Sequence, residues 1–190
     1  LMPRLNALNL KEVVIVAGEG GNIDGIEDYG YHANEDDEIP VLAMQSKESL
    51  VSLVLPDKLK IIGGGTGGHT GAFAGCKNLS GSLIIPEGVK SLGEKAFSYC
   101  RSITSISIPK SLEVIGEGAF EGTWFVENIT VHEDNGVYDS RDNSNAIIET
   151  KTNKLLIGCK NTVIPNSVTS IGNNAFERCY LLTSITIPNS

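Results

Sequence analysis

From Pro86 to Pro109 the chain reads PEGVKSLGEKAFSYCRSITSISIP, and the same slots return at once. Counting from Pro86, aliphatics stand at three (Val89), six (Leu92), seventeen (Ile103), twenty (Ile106) and twenty-two (Ile108), with Gly93 at seven and Ala96-Phe97 at ten and eleven. Counting from Pro109 gives Leu112, Ile115, Gly116, Ala119-Phe120, Val126, Ile129 and Val131. A third clear copy starts at Pro165, with Val168, Ile171, Gly172, Ala175-Phe176, Leu182, Ile185 and Ile187. A tandem period of 23 residues points to a stacked solenoid, because one such unit cannot bury its own apolar residues and needs a neighbour to cover them.

Within one unit the local signals differ. Ile103, Ile106 and Ile108 suit an extended piece that runs to Pro109, which cannot donate to a ladder. Val89 to Leu92 suits a second, shorter strand, with Gly93 free to turn the chain. From Glu94 to Cys100, Ala, Phe and Cys at i, i+1 and i+4 predict about one helical turn facing inward. The expected fold class is therefore α/β: a solenoid of coils of about 23 residues, each a strand, a turn, a short strand and a short helical turn.

The register divides the chain into six copies within one expected solenoid domain, 1–190. Residues 1–49 hold the weakest copy and read as an irregular capping section. There Ala43-Met44 falls in the Ala-Phe slot, and Leu5, Leu8 and Leu10 repeat the spacing of Leu50, Leu53 and Leu55, which predicts a first strand from Leu5 to Leu10. Residues 50–190 hold the repeats, with insertions near 64–70 and 132–154. In the fifth copy Ile164-Pro165 comes 33 residues after Val131-His132, an excess of ten. Ala146 to Ile148 and Leu155 to Ile157, around Thr-Lys-Thr-Asn, predict a β-hairpin inside it. The sixth copy predicts a strand from Leu182 to Ile187. No cap follows it, so either the chain is a fragment of a longer protein, as its opening on Leu1 also suggests, or this end associates with another chain, end to end with a second copy being one form.

Several motifs invite chemistry. Gly63, Gly65 and Gly68 satisfy G-x-G-x-x-G, and Gly68-His69-Thr70 imitates a phosphate loop with His for Lys, but the repeat resumes within a few residues and leaves no βαβ unit or helix behind them. A surface bulge is the expectation. Cys76, Cys100 and Cys179 each follow the repeat's Phe by three residues, which predicts a column of buried thiols and leaves a Cys76–Cys100 bridge open; Cys159 does not fit that column. Asp134, Asp139 and Asp142 lie in one Asn-rich stretch without the order or closing Glu of a dedicated calcium loop, so a solvated loop is expected.

A formal charge of −8, from 23 acidic against 15 basic residues with no basic cluster, argues against nucleic acid and anionic membranes as partners. The apolar runs are strand-sized, too short to span a bilayer. His32, His69 and His132 fall in three separate irregular segments and no nucleophile stands at a motif spacing, so no enzyme, cofactor or metal site is expected.

With these residues laid out, the sequence resembles the BspA-like leucine-rich repeat family of bacterial surface proteins. IPNSVTSIGNNAFERCYLLTSITIP carries the match, together with the interrupted unit NAIIETKTNKLLIGCKNTVIP. The resemblance implies a right-handed leucine-rich solenoid displayed outside the cell, binding host or partner-cell proteins such as extracellular matrix components. It transfers no binding residue, since the matched positions are core positions. From the residues themselves, the binding candidates are the short polar side chains between the strand aliphatics: Thr104, Ser105 and Ser107, then Asn128 and Thr130, then Thr183, Ser184 and Thr186. Trp124 joins them, either as an exposed anchor or as a cover for the fifth copy's hairpin. The expected function is an extracellular protein-interaction or adhesion module without catalysis. A structural spacer of a larger surface protein is the alternative, and a carbohydrate-binding module the third.

Overall fold

A computed structural model describes residues 7–9, 37–40, 43–64 and 71–189. Its first strands are β1 (Ala7–Asn9), β2 (Glu38–Ile39), β3 (Ser52–Val54), β4 (Ile61–Ile62), β5 (Ser80–Ile84), β6 (Ser91–Leu92), β7 (Ser102–Ile108), β8 (Val114–Ile115) and β9 (Asn128–Val131). Then come β10 (Tyr138–Asp139), β11 (Ala146–Glu149), β12 (Lys154–Gly158) and β13 (Ser170–Ile171).

The repeat's two extended segments become two parallel ladders. The longer ones stack as β1-β3 and β5-β7-β9, the shorter ones as β2-β4-β6-β8. Register follows the sequence: Leu8 opposes Leu53, as their shared spacing predicts, and Leu92 opposes Ile115. Between the ladders lie the inward columns, among them Leu50, Leu83, Ile106 and Ile129, all essentially solvent-free. Each such side chain contributes about 1.5–3 kcal/mol by leaving water, which one coil alone could not collect. Phe73, Phe97 and Phe120 stack face to face at centroid distances of 5.1 and 6.0 Å, and Met44 is buried at the head of their column.

The expected helical turn is corrected by the structure, which has no α-helix among the described residues; the one short helix is a 3₁₀ turn at Arg141–Asn143. The segment from Glu94 alternates its hydrogen bonds. Ala96, Ser98 and Cys100 N–H close three-residue turns on Gly93, Lys95 and Phe97, while Lys95, Phe97 and Tyr99 N–H donate to Glu117, Ala119 and Glu121 of the next coil. Lys95 and Tyr99 are left-handed at φ 56° and 57°, as are Gly118, Gly122, Asn174 and Arg178 in the same slots. A left-handed residue every fourth position prevents a continuous helix. We call this segment the corner. The fold is thus a nearly all-β solenoid, and the α in the expected α/β class refers to these corners.

Coil five departs from the pattern. Its apolar runs form the predicted hairpin, β11 against β12, with Ile147 opposite Ile157, and β10 adds a third antiparallel strand. On its other edge β12 pairs in parallel with β13, so Leu155 opposes Ile171 just as Leu92 opposes Ile115. Cys159 stands six residues before its Pro, as Ile103 does, and its thiol is buried beside Glu127 O. Leu92 to Ile103 takes eleven residues and Leu155 to Cys159 takes four. Coil five therefore has no room for a corner.

The predicted strand from Leu182 to Ile187 is also corrected: this segment carries no ladder. The coil it should pair with folds its own backbone into a turn. Thr162 Oγ1 accepts from Cys159 N and donates to Asn145 O, and Val163 N donates to Ser144 O. A hydroxyl that competes in this way for nearby backbone groups removes them from the ladder.

The Gly-rich insertion is closed at its base by an antiparallel bridge between Gly64 and Gly71. Its remaining residues, with His69, lie outside the described residues, as do His32 and most of the acidic section from Gly18 to Glu38.

Candidate functional sites on the coil surface

The β5-β7-β9 ladder turns one face inward and one to solvent. Thr104, Asn128 and Thr130 are exposed, Ser105 and Ser107 are half-exposed, and Ser105 Oγ donates to Ser82 Oγ at 2.8 Å across the strands. Ile84 opposes Ser107, which opposes Thr130. Ile84 is 64% exposed, and Val54 and Val163, each likewise two residues before a coil's Pro, are 44% and 65% exposed. The face is thus a mixed row of hydroxyls and aliphatics. Ile84 and Val163 were legible as surface residues, since they fall one position before the buried aliphatic that precedes Pro86 and Pro165. Thr183, Ser184 and Thr186 are exposed, but they stand on the unladdered segment rather than on this sheet.

The missing corner of coil five leaves a cleft of about 710 Å³ between the corners of coils four and six. Gly118, Phe120 and Glu121 line one wall, Asn173, Asn174 and Glu177 the other, and Gly158 lies at the floor. In intact coils the N–H groups of Phe97 and Tyr99 reach the next corner at 2.8 and 2.6 Å. Phe120 and Gly122 hold those slots in coil four, and among the described residues neither N–H has an acceptor. On the opposite wall the Glu177 carbonyl likewise has no donor among the described residues.

Side chains span the gap that the backbone leaves. One surface column runs Glu48, Lys77, Arg101, Trp124 and Tyr180. Lys77 Nζ pairs with Glu48 at 2.5 Å, the Arg101 guanidinium lies 4.0 Å from the centre of the Trp124 ring, and Tyr180 meets that ring edge-on at 5.1 Å. Trp124 is consequently half-buried, held between coils three and six; its ring contacts are with these two residues. A second span places Arg178 5.2 Å from the Tyr99 ring, whose hydroxyl donates to Glu121 Oε1 at 2.8 Å. That bond to a carboxylate is the main cause that raises the Tyr99 hydroxyl above its ordinary pKa.

The remaining sequence candidates resolve into structural roles. The Cys76 and Cys100 thiols are buried and free, donating to Met44 O and Phe73 O of the preceding coils; burial pushes Cys76 up to about 12 and Cys100 well above the ordinary thiol value. Cys179 is partly exposed and pushed up to about 11, again by burial. Asp139 accepts from Arg141 Nε and Nη2 at 2.7 and 2.6 Å and from Thr150, while Asp134 pairs with Lys110. His132 Nδ1 accepts from Asp134 N. Among the described residues no three His, Cys, Asp or Glu side chains converge as a metal site.

The BspA type leucine rich repeat region family matches residues 37–149 and 146–190, in six copies. The chain belongs to this family. Among solved structures, this BspA type repeat chain is similar to a leucine-rich repeat protein from Eubacterium ventriosum, with 21% identity, a TM-score of 0.55, and coverage of 75% of this chain and 43% of that one. It is also similar to the pneumococcal vaccine antigen PcpA, with 18% identity, a TM-score of 0.57, and coverage of 74% of this chain and 40% of the antigen. These likenesses show the solenoid fold, and the chain spans less than half the length of either structure. Among curated proteins none matches it. The BspA type repeat accounts for the buried columns; the strand-face residues and the truncated corner of coil five belong to its variable positions.

Proposed function

We propose that this chain is a non-catalytic protein-interaction module of the bacterial cell-surface type, adhering to host or partner-cell proteins through its strand face. The observation that carries this reading is the solvent-facing row of Ile84, Ser107 and Thr130 in register across adjacent strands. Aliphatics among short hydroxyl side chains give a flat surface that loses little side-chain entropy on contact, with an apolar centre that gains from being covered. The name of the pneumococcal relative, a vaccine antigen, fits display outside the cell.

The test is binding of the purified chain to a panel of purified extracellular-matrix proteins by biolayer interferometry. The expected result is saturable binding to at least one of them, weakened about tenfold or more, or about 1.4 kcal/mol, by Ile84→Lys with Thr130→Lys. Both positions are exposed, so the folded circular dichroism spectrum should persist. Absence of saturable binding, or binding indifferent to this pair, overturns the reading and leaves a spacer role.

A further inference from the structure

The cleft beside coil five is a specific absence, and its walls define what would fill it. In every regular coil, alternate N–H groups of one corner donate to alternate carbonyls of the next, as Lys95, Phe97 and Tyr99 do to Glu117, Ala119 and Glu121. At coil four the corresponding donors are Gly118, Phe120 and Gly122, and among the described residues none of the three has an acceptor. At coil six the corresponding acceptors are the carbonyls of Asn173, Ala175 and Glu177. Of these, only Ala175 receives a bond, from Gly158 N at 2.8 Å. Gly118 and Phe120 line the cleft, and Phe120 is buried. A buried backbone donor without a partner is unfavourable, and a chain segment laid between the two corners would supply the partner.

Charge narrows the occupant. Glu94, Glu117, Glu121 and Glu177 line the cleft against Lys95 and Lys154. Glu177 sits beside Arg178 at 3.3 Å and Glu94 beside Lys95 at 3.9 Å, which leaves the carboxylates in excess. The whole chain carries −8, which also favours approach of a cationic segment. With donors on one wall and acceptors on the other, a segment laid between them would complete a main-chain ladder, as a strand from another chain does when it adds to a sheet edge.

We propose that the cleft between coils four and six binds a short basic peptide segment whose main chain takes the place of the missing corner. The segment's carbonyls accept from Gly118 and Phe120 N–H, its own N–H groups donate to the Asn173 and Glu177 carbonyls, and its cationic side chains lie among the cleft carboxylates. The proposal rests on reading the chain as a protein-interaction module, but it uses a surface separate from the strand face, so Ile84→Lys should leave it unchanged.

The test titrates the whole chain with acetyl-Lys-Thr-Lys-Thr-Lys-Thr-amide, its Glu-Thr counterpart, and the Lys-Thr peptide N-methylated at each Thr, following backbone amide exchange by NMR. The expected result is saturable binding of the Lys-Thr peptide with slowed exchange at Gly118 and Phe120, and about tenfold weaker binding of the other two. Asn173→Trp, at an exposed position on the cleft wall, should abolish binding while the circular dichroism spectrum persists. No saturable binding up to millimolar peptide overturns the proposal, as does binding that leaves Gly118 and Phe120 exchange unchanged. Equal binding of the N-methylated peptide overturns it too, and so does protection of these two amides by a neutral oligosaccharide when the peptide gives none.

Discussion

Gly158 stands in the slot that Phe97 and Phe120 fill in coils three and four, and the ring of Phe176 has moved into the space: a Cβ on Gly158 would lie 2.1 Å from Phe176 Cε1. The aromatic stack thus ends at Phe120, and coil six closes over the truncated coil by tilting its Phe onto a bare backbone. Gly158→Ala should therefore destabilise the chain by roughly 1–3 kcal/mol in urea unfolding, the usual cost of overpacking. Phe176→Ala removes the obstructing ring, so the double variant should be less destabilised than the two single losses summed. Strict additivity would mean that the two side chains do not compete for this space.

Asp139 gives the coil-five insertion a pH dependence. Burial works against its charge, yet the hydrogen bonds from the Arg141 side chain and backbone and from Thr150 outweigh it and hold the carboxyl below its ordinary value. A carboxyl whose folded pKa is lowered stabilises the fold above the ordinary carboxylate range and loses that contribution as pH falls through the folded value. Asp139→Asn should cost about 2 kcal/mol near neutral pH, the scale of hydrogen bonds to a charged group. The gap from the parent chain should close progressively below about pH 4 in urea titrations. A gap constant across that range would show that the charge plays no part.

The four thiols should separate by accessibility. Raised pKa values leave little thiolate near neutral pH, and only Cys179 is partly exposed. Iodoacetamide near pH 8 should label Cys179 first and slowly, its rate rising about tenfold per pH unit until the thiol titrates. Cys76, Cys100 and Cys159 should react only after unfolding in guanidinium. Peptide mass spectrometry reads the order directly, and early labelling of Cys100 would contradict its burial.

Trp124 is the chain's one tryptophan, so its fluorescence reports the span from coil three to coil six. Tyr180→Ala removes the ring that meets its edge and should shift the emission to the red as the indole gains water. Arg101→Ala should lower stability by about 0.5–1 kcal/mol through the lost cation–π contact. An unchanged spectrum in Tyr180→Ala would place the indole elsewhere.

Much of this architecture was legible in the residues. The 23-residue period places Leu83, Ile106 and Ile129 on one buried line, and even the faint copy at Leu8 finds its partner at Leu53. The hairpin at Ile147 and Ile157 followed from two apolar runs around a polar turn. Where a segment's neighbour is irregular, the same reasoning failed: Leu182 to Ile187 has the pattern of a strand, but Thr162 and its turn leave it nothing to pair with. The corner was misread as helical because Ala96, Phe97 and Cys100 satisfy a helical spacing, while their backbone bonds alternate between their own coil and the next.

By itself the sequence determined the repeat, its inward columns and its family, because a stacked coil must place the same kind of side chain at the same slot every turn. Only the tertiary structure decided what happens where that rule lapses. The ten-residue excess of the fifth copy reads along the chain as an insertion, yet Leu155 to Cys159 is seven residues shorter than its counterpart, so the hairpin adds length at one side of the coil and removes a corner from the other. Whether a shortened path leaves a gap depends on what its neighbours put there. Phe176 fills the space above Gly158, Trp124 and Tyr99 reach across to Tyr180 and Arg178, and the cleft with the Gly118 and Phe120 N–H groups, without acceptors among the described residues, is what remains.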